Sequence, residues 1–396
     1  MAEASEAKTT TVNTSYTNTT NSYVYKPPDP PEFAGLYNQG ATCYMNSLLQ
    51  SLFLTPELRY ALYNWQYTPG RDPPKESCIP YQLQRLFCQM QLMDDKDVGS
   101  GTAAETDSLT KSFGWTAGDQ FQQQDATEML TMLTEALETC FKDTRGDGVI
   151  KALYEGETKD YVKCRECGYE SGTSADFRTL NIAIRPFGGT PITSVEDGLK
   201  NYFEAESMDG DNQYECEPCK GKRDADKGIK LAKVPYIFTI SLLRFDYDWQ
   251  QDARVKINDR VSFSETLNMA PYLQAEEEPQ EGGAGGAGAE EEEGYQVREG
   301  GGRILARGSS AVLEDKMEYE LFAICVHAGG AHGGHYFAYC KPFGDTGMTG
   351  KPKAADQWYE FNDSRVTKME PRAWQKSFGG LSSSGNSRYR VQVRRL

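Results

Sequence analysis

Two cysteine pairs constrain this chain most tightly. Cys164 and Cys167 stand in "KCRECGY", and Cys216 and Cys219 in "YECEPCKGK". Each C-x2-C makes a knuckle that presents two thiolates to one ion. Two knuckles complete a tetrahedral four-sulfur site with no open position, which is the chemistry of structural zinc. The 48 residues between Cys167 and Cys216 exceed the usual short-range spacing, so a hairpin or small subdomain must bring the pairs together. The alternative is two unrelated surface pairs. A redox C-x-x-C fits less well, because neither pair opens a helix after a strand. One zinc ion per chain is therefore expected, holding strand tips together and helping the region fold.

The remaining order along the chain follows from periodicity. Residues 1–31 are polar, rich in Thr, Ser and Asn, and end in prolines; they read as a disordered tail. Met45, Leu48, Leu49, Leu52 and Phe53 share one helical face, and Pro56 ends or restarts that helix. Leu83, Leu86, Phe87 and Met90 repeat the pattern. A third helical run, Gln120 to Phe141, is expected to bury Phe121, Met129, Leu130, Leu133 and Leu137. After Gly148 the pattern changes to strands: "YEGETKDYVKC", "FRTLNIAI", "YIFTISLLRFDYD" and "RVKINDRVSF", interrupted by one short helix, "SVEDGLKNYF". Residues 275–316 are acidic and Gly-rich, and read as a flexible insertion. Strands resume in "YELFAICVH", "GHYFAYCK", "WYEFND" and "YRVQVRR". Helices first and mostly antiparallel strands after predict an α+β fold.

Charge and composition exclude several functions. The net charge is −16, which argues against a nucleic-acid binder and suits a basic partner. No apolar run approaches the ~20 residues that span a bilayer, and the N-terminus has no apolar signal core, so no membrane association is expected. The sequons at Asn13 and Asn18 then read as chance. Ten cysteines in 396 residues are too sparse for a secreted disulfide scaffold. The expected location is the cytoplasm, with the nucleus as an additional compartment.

One cysteine stands apart from the pairs. Cys43 lies in "GLYNQGATCYMNSLLQSLF", where the first amphipathic helix begins. The positive end of that helix and its unpaired N–H groups favour a thiolate, the nucleophilic form. Gly40 permits a sharp turn before it. Asn38 is close enough to fold back and donate its amide to an oxyanion. The plain alternative is a small buried hydrophobe. A nucleophilic thiol needs a base, and the three histidines, His327, His332 and His335, all fall in "VHAGGAHGGHYFAY". The glycines there, Gly333 and Gly334 included, let backbone approach a groove closely, as a slim substrate tail requires. His335 opens a strand that would aim its ring. A surface glycine turn with incidental histidines is the competing reading. "WYEFNDSRV" supplies Asn362 and Asp363, either of which could orient the imidazole; an ordinary Asx turn is the alternative.

Together these stretches resemble the ubiquitin-specific protease family of papain-like cysteine proteases. "GLYNQGATCYMNSLLQSLF" is similar to its cysteine box, "GGHYFAYCK" with "WYEFNDSRV" to its histidine box, "QQQDATEML" to its Q-Q-D-A-x-E-F segment, and "VPYIFTISLLRFDYD" to its L-x-R-F strand. The resemblance covers roughly 33–274 and 317–396. It implies a fold like a right hand, with a helical thumb (33–145), a β-rich palm and zinc-ribbon fingers (146–274 together) and closing palm strands (317–396), so that 32–396 forms one catalytic domain. It implies Cys43 as nucleophile, His335 as base, Asn362 as third member, Asp363 as a neighbouring acid sharing that role, and Asn38 as oxyanion donor. Asp125 would contact the tail of ubiquitin. The implied activity is hydrolysis after ubiquitin's terminal glycine through a thioester, with ubiquitin and ubiquitinated proteins as partners and the chain a monomer. An inactive ubiquitin-binding module on the same scaffold is the alternative. Departures are Met129 where the family usually has Phe, the 275–316 insertion, and an unusually basic last strand.

Overall fold

The apolar spacing of the first third produces helices: α1 (Cys43–Phe53), α2 (Pro56–Asn64), α3 (Ile79–Asp94), α4 (Asp107–Ser112), α5 (Ala126–Phe141) and α6 (Val149–Tyr154). A two-residue parallel pair, β1 (Gly35–Leu36) and β2 (Ala103–Ala104), lies among them. The computed structural model describes residues 33–94, 103–115, 126–186, 188–250, 252–273, 317–331, 333–342, 357–379 and 387–395. The tail (1–31), the insertion (275–316), Phe121, Asp125 and His332 therefore lie outside the described residues.

α1 departs from the one-faced stripe expected of it, because all 11 of its residues are buried. Three of its polar side chains donate to backbone carbonyls. Ser47 Oγ donates to Cys43 O at 2.9 Å, Gln50 Nε2 to Ala34 O at 2.9 Å, and Ser51 Oγ to Leu48 O at 2.8 Å. The helix is thus an internal strut that fixes Cys43 from behind.

Strands take over later than the change at Gly148 suggests, since Val149–Tyr154 is still helical. β3 (Gly156–Cys164), β4 (Glu170–Phe177) and β5 (Leu180–Ala183) come first, then α7 (Val195–Phe203), which Ser194 caps by accepting from Asp197 N–H at 3.0 Å. β6 (Glu206–Met208), β7 (Tyr214–Cys216), β8 (Gly221–Arg223), β9 (Ala225–Lys233), β10 (Ile237–Leu243), β11 (Phe245–Asp248), β12 (Ala253–Lys256) and β13 (Thr266–Asn268) follow. The final set is β14 (Glu318–Gly329), β15 (Gly334–Cys340), β16 (Tyr359–Asn362), β17 (Arg365–Lys368) and β18 (Ser387–Arg395). The stretch "YIFTISLLRFDYD" is two strands, β10 and β11, because Arg244 breaks it. That side chain is fully buried and donates to Ile257 O (3.1 Å), Asp259 O (2.7 Å) and Phe378 O (3.4 Å), spreading its charge over three carbonyls.

An eight-stranded sheet runs β17-β16-β15-β14-β18-β10-β5, with β13 on the edge of β14. The chain's last strand, "YRVQVRR", sits in the middle of this sheet between β14 and β10. Helices cover one face: Leu48, Leu49, Leu83, Phe87, Leu130 and Phe141 pack with Ala338, Cys340 and Phe361. The other face buries Ile240, Leu321, Ile324, Val326 and Tyr339 against Leu199 and Trp374. Successive strand residues point to opposite faces, so a sheet covered on both sides reads as an almost unbroken apolar run, as "LFAICV" does. Each such fully buried leucine contributes about 1.5–3 kcal/mol.

A separate four-stranded sheet, β4-β3-β9-β6, carries the cysteine knuckles with the β7–β8 ribbon. The helical layer, the central sheet and this outlying sheet make the α+β arrangement expected from the sequence. The two knuckles are built alike but differ in one residue. After the second cysteine of each comes a left-handed backbone position, filled by Gly168 (φ 73°) in one and by Lys220 (φ 50°) in the other. A side chain costs about 1–2 kcal/mol there, partly offset by the entropy a glycine loses. Lys220→Gly is therefore expected to raise the stability of this region by about 0.5 kcal/mol, read as slower local amide exchange on both sides of the β7–β8 turn.

Candidate active site and cysteine cluster

Cys43 is the first residue of α1, entered through a turn in which Gly40 takes φ 127°. β15 packs against this helix and brings its own start to the sulfur: the backbone N–H of Tyr336 donates to Cys43 Sγ at 3.3 Å. His335, the preceding residue, is half exposed, and its side chain interacts with that of Cys43. Its Nε2 is 2.7 Å from Asn362 Oδ1. Since Nε2 is committed to Asn362, Nδ1 is the atom left to face the sulfur. The Cys43 bond, more than any other contact, pushes His335 up to about 9; the Asn362 bond and the nearby Asp363 charge add to this, and burial opposes it.

Asn362 ends β16 and Asp363 begins the turn to β17, with Asp363 in the left-handed region at φ 50°. Asp363 Oδ2 lies 3.8 Å from His335 Nε2, too far for a direct bond, and accepts instead from Asn38 Nδ2 at 2.9 Å. The carbonyl of the Asn38 amide is tied into its own loop, accepting from Gly40 N–H at 3.0 Å and Thr42 N–H at 3.2 Å. An amide has two N–H groups, so one remains to meet an anion forming near Cys43. Five of the residues picked out in the sequence, Cys43, His335, Asn362, Asp363 and Asn38, thus form one connected group.

Two further residues of the histidine-bearing stretch serve the hairpin itself. His327 is buried and faces Lys256, whose ammonium lies 3.1 Å from its Nδ1, 3.0 Å from its carbonyl O and 2.9 Å from Gly329 O. A ring nitrogen facing an ammonium accepts, so His327 serves packing with Phe245 and Tyr336, whose ring centroids lie 5.6 and 4.7 Å away. A Cβ on Gly334 would fall 2.2 Å from Ala328 O and 2.4 Å from His327 Nε2. The missing side chain there makes room for the protein's own hairpin, whereas a Cβ on Gly333 would meet nothing within 4 Å. Nothing in the sequence singles out Lys256, one of three basic residues in "ARVKINDR", and the burial of Arg244 is not visible in its L-x-R-F stretch.

The four paired cysteines converge as their spacing requires. The ends of β3 and β7 carry Cys164 and Cys216, and the turns that follow carry Cys167 and Cys219. All four sulfurs lie within 4.8 Å of one another, and Cys167 and Cys216 approach to 3.5 Å. Sulfurs placed ~2.3 Å from one ion at tetrahedral angles stand about 3.8 Å apart, so the group could hold a single metal ion. Backbone N–H groups of Cys167 and Glu166 point at Cys164 Sγ and help bring its pKa down to about 7.

A family model described as ubiquitin carboxyl-terminal hydrolase matches residues 34–386. The chain belongs to the ubiquitin carboxyl-terminal hydrolase family. It is 40% identical over 379 residues to ubiquitin carboxyl-terminal hydrolase 47 of Xenopus tropicalis, covering 90% of this chain and 26% of that relative. The human protein of the same name is 39% identical over 374 residues (89% and 26%), and ubiquitin C-terminal hydrolase 12 of Arabidopsis thaliana 35% identical over 349 residues (88% and 26%). The chain spans about a quarter of the length of the curated relatives it matches. Likeness to hydrolase 47 is also visible in "CIPYQLQRLF", "KSFGW" and "DYVKCRECGYE". The matched region of this hydrolase family member contains the whole connected group around Cys43 and all four paired cysteines.

Proposed function

We propose that this chain is a deubiquitinating cysteine protease that cleaves the isopeptide or peptide bond after the terminal glycine of ubiquitin. The observation that carries the reading is the meeting of Cys43 and His335: a sulfur that accepts from the N–H of Tyr336, the residue next to His335, at 3.3 Å, and an imidazole that interacts with this sulfur and is 2.7 Å from Asn362 Oδ1. Cys43 attacks the glycine carbonyl, and the electron pair moves to the oxygen, which the Asn38 amide and the Cys43 N–H stabilise. His335 gives its proton to the departing lysine amine as the C–N bond breaks. Water, deprotonated by the same imidazole, then cleaves the thioester.

The substrate suits the surface. The tail of ubiquitin is cationic and ends in two glycines, while this chain carries a charge of −16. Asp125 is the residue proposed to meet a tail arginine. Cys164, Cys167, Cys216 and Cys219 are proposed to hold one structural zinc ion, with the outlying sheet supporting the globular body of ubiquitin. Among the described residues no helix is long and apolar enough to cross a membrane; we place the enzyme in the cytoplasm, or there and in the nucleus, as a monomer.

A ubiquitin derivative with an electrophilic C-terminus tests the reading. Wild-type chain should gain the mass of one ubiquitin, with the adduct on Cys43; binding without an adduct would mean an inactive ubiquitin-binding module. The pH dependence follows from His335. A pKa raised to about 9 means that the protonated imidazole persists through neutrality and is lost as pH rises through that value. kcat/KM on a fluorogenic ubiquitin amide should therefore hold to about pH 9 and fall above it, the apparent value belonging to the thiol–imidazole pair. Asn362→Ala removes one contribution to the elevation and the ring's orientation. It should move the alkaline limb to lower pH and reduce kcat by about 10–100-fold. An unshifted limb would remove Asn362 from this role.

A further inference from the structure

Asn46 stands one helical turn beyond Cys43 on α1 and is buried. Its Nδ2 lies 2.8 Å from Asp363 Oδ1, 3.3 Å from Tyr37 O and 3.5 Å from Leu36 O. Its own Oδ1 is buried with no hydrogen-bond partner among the described residues. The amide is therefore oriented by its acceptors: turned over, it would set an oxygen against a carboxylate and two carbonyls. Asp363 is held a second time through its backbone, where its carbonyl accepts from Leu36 N–H at 2.9 Å. Its side chain is only 16% exposed, and its left-handed φ of 50° is one that an isolated aspartate seldom adopts.

We propose that Asn46 is a positioning residue for the hydrolysis, acting by fixing the Asp363 carboxylate. With Oδ1 held by Asn46, Oδ2 is aimed at Asn38 Nδ2, 2.9 Å away, and stands 3.8 Å from His335 Nε2. One carboxylate thereby couples the oxyanion donor to the imidazole. The helix that presents the nucleophile also sets this carboxylate, so sulfur, oxyanion donor and base share one rigid reference. Without Asn46, a part-buried oxygen loses its donor, and the carboxylate can rotate toward the nearest cation, His335 when protonated. That rotation releases Asn38 and competes with Asn362 for Nε2. An aspartate at 46 would be worse than an alanine, because two carboxylates would face each other at the distance of a hydrogen bond.

The inference rests on the proposed hydrolysis, and the test separates the two. kcat and KM would be measured on the fluorogenic ubiquitin amide, normalised to the fraction of chain that reacts with the electrophilic ubiquitin so that only folded sites count. Asn46→Ala should lower kcat by about 10–100-fold and change KM less than about threefold. The decisive measurement is the cycle with Asp363→Ala: the double variant should be no slower than Asp363→Ala alone, since Asn46 acts through that carboxylate. Should the alanine variant not fold, the isosteric Asn46→Asp keeps the question open to measurement. It should lower kcat by about 100-fold, and adding Asp363→Asn, which restores a donor opposite an acceptor, should recover at least about tenfold. Multiplicative losses in the first cycle, or no recovery in the second, would overturn the role of Asn46 while leaving the hydrolase reading intact. A wild-type chain that neither turns over substrate nor takes the probe would overturn both.

Discussion

Replacing Cys43 with alanine is expected to abolish ubiquitin release, with kcat falling by on the order of 10⁴-fold or more, while affinity for ubiquitin stays within a few-fold of wild type. The size of the effect follows from the chemistry. Members of a nucleophile–base unit do not contribute separately, and loss of the nucleophile leaves only substrate binding and oxyanion stabilisation. The site geometry adds a second readout. The bond to Cys43 is the largest cause of the elevated His335 pKa, about 9. Removing the sulfur leaves burial, which lowers that pKa, opposed only by Asn362 and Asp363. The imidazole of Cys43→Ala should therefore titrate clearly below about 9 when followed by NMR. The fold should tolerate the change, because the smaller side chain replaces a sulfur at the edge of the helix and leaves the Ser47 bond to the residue-43 carbonyl in place. Substantial turnover in the variant would end the proposed mechanism. An unmoved His335 would mean that sulfur and ring do not interact as the structure places them.

How far the sequence foretold this site depended on what kind of signal each residue carried. Cys43, His335, Asn362, Asp363 and Asn38 were legible because their chemistry is scarce and local: a cysteine at a helix start, three histidines in one stretch, an amide and an acid at a strand end. Asn46 was not, since a polar residue on a helix ordinarily faces water, and nothing local says that α1 is buried all round. His327 and Gly334 look the same as His335 and Gly333 in sequence. Only the pairing of β14 with β15, Ala328 opposite His335, shows which ring packs inward and which glycine accommodates it. Similarly, the helices were recoverable from period, but the order of strands in the large sheet was not. The last strand inserts between β14 and β10, a long-range pairing that no short window contains. The break at Arg244 was hidden for the same reason: its three carbonyl partners come from distant segments, Ile257, Asp259 and Phe378.

Removal of the proposed zinc ion should cause a loss of similar consequence by a different route. Purified chain is expected to carry one zinc ion, and Cys216→Ser to carry less than half of that. The region around the cluster has little else to hold it. β7 and β8 are three residues each, and of their side chains only Cys216 is buried. A two-stranded ribbon of that size is marginal in water. The apolar core lies elsewhere, in the helical layer and on both faces of the large sheet. Structural zinc contributes about 10–16 kcal/mol in small peptides, comparable to the whole stability of a typical domain at about 5–15 kcal/mol. Loss of the ion should therefore unfold the knuckles locally and leave the Cys43 group standing. Limited proteolysis should then cut between residues 204 and 224, where wild type resists. KM for the ubiquitin substrate should rise at least about tenfold, whereas alkylation of Cys43 by a small reagent should proceed at an unchanged rate. Metal content well under one ion in the wild-type chain would show that this sheet stands without an ion, and a Cys216→Ser variant with unaltered proteolysis and KM would show that the four sulfurs do not hold the knuckles together.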